Sequence, residues 1–255
     1  MASTYSSAIL QEAVTYFRAM DSLPSVRMTA NLNSMISGQQ SIEQAERAIV
    51  GGDVAHHVVD PDDALGLDPL QASTLDAALE ALLAAESDGW FLALPIPGSL
   101  APLRGPAAFN LAAVEQGEAV VASAAGLGLV PMRVGQAVQW RIFAAERPLP
   151  PSSPSEAERA LNEVVIDAAA TLARLDVAAG RRPESSTAVG LAPGYSRRQR
   201  ATVERAARLL VACDAALLDD GASISSFEAE RRAQELRRVR TKAGEALGSA
   251  VSWLE

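Results

Sequence analysis

The sequence predicts an α+β fold: a small, mainly antiparallel sheet with flanking helices, followed by an all-helical C-terminal three-helix region. Three observations carry this expectation. Between Trp90 and Ala144, apolar residues alternate in short runs punctuated by Gly and Pro, as strands and hairpins require. Residues 147–154, RPLPPSSP, form a stiff, extended break. Beyond it the apolar spacing changes to three- and four-residue steps sustained over long segments, which is the period of helices. The expected organisation is an acidic α+β domain over 1–146, a Pro-rich linker over 147–154 and a helical bundle domain over 155–255.

Taken in order, Ile9, Leu10, Ala13, Phe17 and Met20 share one helical face, so residues 4–20 are predicted to form an amphipathic helix. The stretch MTANLNSMISGQQ, residues 28–40, is expected to be loop. Ser41 with Gln44 makes a capping box that opens a short helix through Ile49, stopped by Gly51 and Gly52. From Asp53 to Pro69 the chain is acidic, with Asp60 before Pro61 and no periodicity, and reads as an irregular connection. It holds both histidines, His56 and His57, near Asp60, Asp62 and Asp63, the one grouping with metal-ligand chemistry. Adjacent side chains of an extended segment point opposite ways, so the pair is not expected to serve one ion. Neither a metal nor a cofactor is expected.

Ser73 with Asp76 opens a helix to about Glu86, with Leu75, Ala78, Leu79, Leu82 and Leu83 as its apolar stripe. Trp90 to Pro95 is a short apolar run bounded by Gly and Pro, which favours a strand. Pro106 at a first helical position and Gly117 just past a last one predict a helix from Pro106 to Gln116. Strands are expected at Ala119–Ala122, Leu127–Val134 and Ala137–Ala144. The last two are joined by Gly135 and Gln136 in a type II′ turn. That turn places Val138, Trp140 and Ile142 on one face with Leu129, Pro131 and Arg133, and Gln139 with Arg141 on the other. Trp140 is then a core anchor.

Ser155 with Glu158, Ser196 with Gln199 and Ser225 with Glu228 are three capping boxes, each opening a long periodic segment. Cys213 lies on the apolar stripe of the second and reads as a buried structural thiol. In the third, Leu236, Val239, Ala243, Leu247, Ala250 and Leu254 form a narrow seam that Val251 and Trp253 widen, which predicts a homodimer through this helix.

The charge is unevenly placed. Residues 1–153 carry 16 acidic and 7 basic side chains, whereas residues 154–255 carry 15 of each, for a net charge of -9. That balance argues against a general nucleic-acid or anionic-membrane binder, which needs a net basic footprint. The Arg cluster from Arg231 to Arg240 interleaves with Glu228, Glu230 and Glu235, as solvated, salt-bridged faces do. Of the 22 basic residues only Lys242 is Lys, an Arg bias that fits high-GC coding and a bacterial origin. A single cysteine excludes an intrachain disulfide and fits a reducing cytoplasm. No signal peptide is expected from MASTYSSAIL, and the longest uncharged apolar-rich runs are shorter than the ~20 residues of a spanning helix.

The function expected from these features is that of a non-enzymatic cytoplasmic interaction or adaptor protein, acting on a protein partner through helical surfaces. Two adjacent histidines, one buried cysteine and no nucleophile motif leave little for catalysis. The alternative is a small-molecule binder or enzyme using the loop 97–106. There Arg104 and Gly105, just ahead of a helix N-terminus, would grip an anionic ligand that Ser99 or Asn110 orients.

Overall fold

The computed structural model describes residues 23–96, 99–175, 190–218 and 225–254; the helix expected over 4–20 lies outside them. The described chain divides into two compact units. One contains residues 23–152 together with 190–199 and 248–254, and the other contains 153–175, 200–218 and 225–247. The break at Ser152 falls within the expected linker, but two segments of the expected bundle domain return to the first unit.

The first unit runs α1 (Pro24–Ile36), α2 (Ile42–Val50), β1 (His56–Val59), β2 (Ser73–Thr74), α3 (Leu75–Ala84), β3 (Trp90–Ala93), α4 (Ala107–Gln116), β4 (Ala119–Ala122), β5 (Leu127–Val134) and β6 (Ala137–Ala144). The six strands form one sheet in the order β2-β1-β6-β5-β4-β3. The α+β class holds. The sheet is mixed rather than mainly antiparallel, because β1 pairs parallel to β6. The β5–β6 hairpin has the expected register, with Leu129 opposite Ile142, Pro131 opposite Trp140 and Arg133 opposite Val138. Its turn places Gly135 at φ 64, a backbone conformation that a glycine adopts without penalty.

One face of this sheet buries Trp90, Val120, Leu129, Val138, Trp140 and Ile142 against α1, α2 and α3 through Met28, Leu32, Ile49, Leu75, Leu79 and Leu82. The other buries Phe91, Val121, Val130 and Phe143 against Phe109 and Ala113 of α4. Gly128 makes that second packing possible, since a Cβ there would stand 2.5 Å from the Phe109 ring.

Two segments read as irregular are ordered, the first by contacts distant in sequence, the second by a carboxylate a few residues away and by the pairing of β1 with β6. Helix α1 occupies much of the stretch expected to be loop. Thr29, Asn31, Asn33 and Ser34 are weak helix formers, and tertiary partners supply what propensity does not. The Glu118 carboxylate accepts a bond from the Ser25 N–H at 2.9 Å, serving the helix start where Leu23 offers no side-chain cap. Asn33 accepts from the Trp90 N–H at 2.8 Å and donates to the Trp90 carbonyl at 2.9 Å. In the acidic segment, buried Asp60 accepts from the N–H groups of Ala64, Leu65 and Leu67 at 2.8, 2.8 and 3.3 Å. It thereby fixes the turn that follows β1.

The outer edge of β3 is also covered. Ser252 Oγ accepts from the Leu92 N–H at 3.0 Å, and Gly248 approaches so closely that a Cβ would lie 3.3 Å from the Leu92 carbonyl oxygen. Such coverage prevents an edge strand from pairing with another chain. Tyr195 donates to the Val251 carbonyl at 2.6 Å and Gln199 to the Ala250 carbonyl at 3.2 Å. These bonds satisfy carbonyls that a helix C-terminus leaves open, and they explain why residues 190–199 and 248–254 belong with the sheet.

The second unit is built from α5 (Pro154–Leu175), α6 (Arg197–Ala216) from Arg200 onward and α7 (Ser226–Ser252) as far as Leu247. The capping boxes at Ser196–Gln199 and Ser225–Glu228 form. Helix α5 instead opens with Ser153 and Glu156, two residues ahead of the expected Ser155–Glu158 pair. Ala168, Cys213 and Val239 form a core with Val164, Val165, Leu209 and Leu236. Burial, with a smaller contribution from Asp214, pushes the Cys213 thiol up to about 12. In the seam expected to form a homodimer, Val239, Ala243, Leu247 and Ala250 are buried within the single chain, so little of it is left for a second copy. No helix among the described residues is long and apolar enough to cross a membrane.

Candidate functional site

The first place to consider is the loop ahead of α4. Ser99 closes a tight turn with Ile96, the two exchanging backbone hydrogen bonds at 2.9 and 3.0 Å, while Pro97 and Gly98 lie outside the described residues. Arg104 is exposed. Gly105 is buried at φ 145, and a Cβ on it would lie 2.8 Å from a carboxylate oxygen of Glu146. The Gly105 carbonyl also accepts from the Glu146 N–H at 2.8 Å. A carboxylate therefore stands beside the glycine of the expected anion site. Asn110, in the first turn of α4, has a buried Oδ1 with no hydrogen-bond partner. Among the described contacts none joins Ser99, Arg104 and Asn110 to one another.

The second is a polar network at one end of the main core, which sequence reasoning missed. The Asp53 carboxylate bridges Arg27, His56 Nε2 at 3.0 Å and Arg133 Nη1 at 3.2 Å. On the far side of the ring, Trp140 Nε1–H donates to His56 Nδ1 at 3.0 Å. An indole nitrogen only donates, so Nδ1 carries the lone pair, Nε2–H donates to Asp53 and the imidazole is neutral. Burial lowers the His56 pKa, outweighing the opposing pull of Asp53. Burial alone would raise the Asp53 carboxyl, but hydrogen bonds from His56 and Arg27 and the nearby guanidinium charges bring it below its usual range. Both nitrogens of His56 are engaged and its side chain is fully buried. The ring therefore locks β1 to β6 and has no nitrogen to offer a substrate. His57, its neighbour, is exposed, as alternation along a strand requires. A buried indole usually finds a polar partner, and that tendency was the available signal: Trp140 pointed to a group such as His56, although the equally buried Trp90 Nε1 has no hydrogen-bond partner among the described residues.

Glu118 is the strongly perturbed acid of this unit. Burial raises its pKa to about 7 against the bond from the Ser25 N–H.

The third place is a groove on the helical unit. A surface cavity of about 380 Å³ is lined by Val164 of α5 and by Gln234, Arg237, Arg238, Thr241 and Lys242 of α7. These α7 positions recur at three- and four-residue steps and so share one side of the helix. Arg238 leans on Glu235 at 2.8 Å and Lys242 on Glu245 at 2.6 Å. Arg237 is exposed and has no ion-pair partner among the described residues. Three cations around an apolar side chain suit a carboxylate carried on an apolar segment. Besides these cations the lining offers the Thr241 hydroxyl and the Gln234 amide.

These sites define a two-unit α+β protein whose sheet unit ties Asp53, His56 and Trp140 into one polar network and whose helical unit keeps an open, cation-rimmed groove. The chain belongs to the Rv1486c-like protein family: the family's N-terminal domain matches residues 25–157 and its C-terminal domain residues 155–248. No curated protein and no solved structure matches the chain.

Proposed function

We propose that this is a non-enzymatic, cytoplasmic interaction protein whose helical unit receives an acidic segment of a protein partner in the groove between α5 and α7. The observation that supports the reading is Arg237. It is a cation without an ion-pair partner among the described residues, set beside Arg238, Lys242 and the apolar Val164. A cation in that position gains from a partner's carboxylate, while the neighbouring apolar surface supplies area to bury. Nucleic acid fits the groove poorly, because Glu235 and Glu245 already offset two of its three cations. The test is affinity capture of stoichiometric partners by the wild-type chain and by an Arg237→Glu, Lys242→Glu variant. The reading expects a partner held by the wild type and lost by the variant; equal retention would refute it.

A second reading places a small anionic ligand at the loop 97–106. It is favoured by the unpartnered Asn110 Oδ1 and opposed by the Glu146 carboxylate beside Gly105. A thermal-shift screen of phosphorylated and carboxylated metabolites tests it, since a ligand at a hundred times its Kd adds about 2.7 kcal/mol. No shift with any of them would end this reading.

A further inference from the structure

We propose that the groove's occupant is a second copy of this chain, which inserts Leu70 and presents Asp68 to Arg237. The inference rests on the interaction reading above and identifies its partner. Leu70 is 92 % exposed, and a leucine so placed gains by leaving water. It is also carried on an ordered segment. Asp60 ties down the preceding turn through three N–H groups, and Asp68 Oδ1 accepts from the Leu70 N–H at 2.9 Å. An apolar side chain held in place before binding loses little entropy when it docks.

The surroundings of Leu70 complement the groove in charge. Asp63 and Asp68 are exposed, and Asp62, with its side chain 61 % exposed, has only the half-exposed Arg141 at 3.3 Å beside it. Around Val164 the groove presents Arg237, with Arg238 and Lys242 beside it already paired to Glu235 and Glu245, so Arg237 is the cation that takes the incoming carboxylate. The sequence as a whole carries the same asymmetry, its acidic excess lying wholly within residues 1–153. An acidic, leucine-tipped loop and a basic, apolar-floored groove on one chain are the two halves of a contact between copies. Exchanging loops reciprocally would close a two-fold dimer.

Light scattering of the full chain at micromolar concentration and low salt tests this. The expected mass exceeds the 26.7 kDa of one chain. It should fall back to that value near 1 M salt, where screening acts within about 3 Å. Leu70→Asp, at a position too exposed to threaten folding, and Arg237→Glu should each weaken association about tenfold or more. Asp68→Arg combined with Arg237→Glu should restore part of it. A monomer at every concentration, or association that neither single variant weakens, overturns the proposal. A photocrosslinker at Thr241 separates this failure from that of the interaction reading. A crosslink to some other protein overturns the second copy and leaves the groove as an interface, whereas no crosslink at all defeats both.

Discussion

Replacing Glu118 by Gln should stabilise the sheet unit in mild alkali. Burial is the main reason the Glu118 pKa rises from 4.5 to about 7. Because the fold favours the protonated acid, its contribution is fully present below the unfolded value of 4.5 and is lost as pH rises through about 7. At about 1.4 kcal/mol per pH unit, the displacement amounts to about 3 kcal/mol against the ionised carboxylate. The N-terminal dipole of α1, which Glu118 faces through Ser25, returns up to about 1 kcal/mol to that ionised form. The substituted amide cannot ionise, yet it retains an oxygen to accept from the Ser25 N–H. The variant should therefore exceed the wild type by about 2–3 kcal/mol at about pH 8, with the gain shrinking towards zero near pH 4. Trp90, Trp140 and Trp253 all belong to the sheet unit, so urea unfolding followed by tryptophan fluorescence reports on that unit alone. With a slope of about 2 kcal/mol/M the midpoint should rise by about 1–1.5 M. A variant less stable than the wild type at pH 8 would show that α1 needs the charge and that burial is not the dominant influence.

Three further outcomes follow from the same contacts. In the Glu118→Gln background the stability of the sheet unit should decline below about pH 6.5. His56 is neutral in the fold and protonates on unfolding, so its contribution is present above 6.5 and is lost as the pH falls, by at most about 1.4 kcal/mol per pH unit; a flat profile from pH 7 to 5 would contradict the bond from Trp140. Gly128→Ala should cost about 1–3 kcal/mol through overlap with the buried Phe109 ring, and an unchanged urea midpoint would mean that α4 sits farther from β5. Gln199→Ala should cost about 1–3 kcal/mol in the tryptophan-detected transition, since the Ala250 and Trp253 carbonyls lose their donor; no change there would remove residues 190–199 from the sheet unit.

The hairpin from Leu127 to Ala144 was legible because its signals are local: alternation, a Gly at the turn and strand lengths that match. The capping boxes at Ser41, Ser196 and Ser225 were legible for the same reason, being four-residue patterns. Helix α1 had a local signal that went unread, Met28, Leu32 and Met35 at helical spacing, but its weak formers hid it and its polar partners Glu118 and Trp90 lie 93 and 57 residues from Ser25 and Asn33. Strand β1 is only four residues long and contains two histidines. Its assignment rests on a parallel pairing with β6 and on an indole that no local window includes. The return of α7 to the sheet was hidden in the same way, since Ala250 looks like one more position of a helical seam until Gln199 and Tyr195 meet its neighbourhood. Of the candidate site, the Arg-rich face of α7 was visible as a charge run. Which of its cations has no ion-pair partner among the described residues depends on the rotamers of Glu235 and Glu245.

The central claim is that the groove between α5 and α7 is a protein interface, and a photoreactive residue at Thr241 in the full chain tests it most directly. Crosslinking in cells should give one discrete product, absent when the same group is placed instead at the exposed position of Glu163 or when Arg237→Glu is added. Equal, diffuse labelling at both positions, unaffected by Arg237→Glu, would contradict the claim.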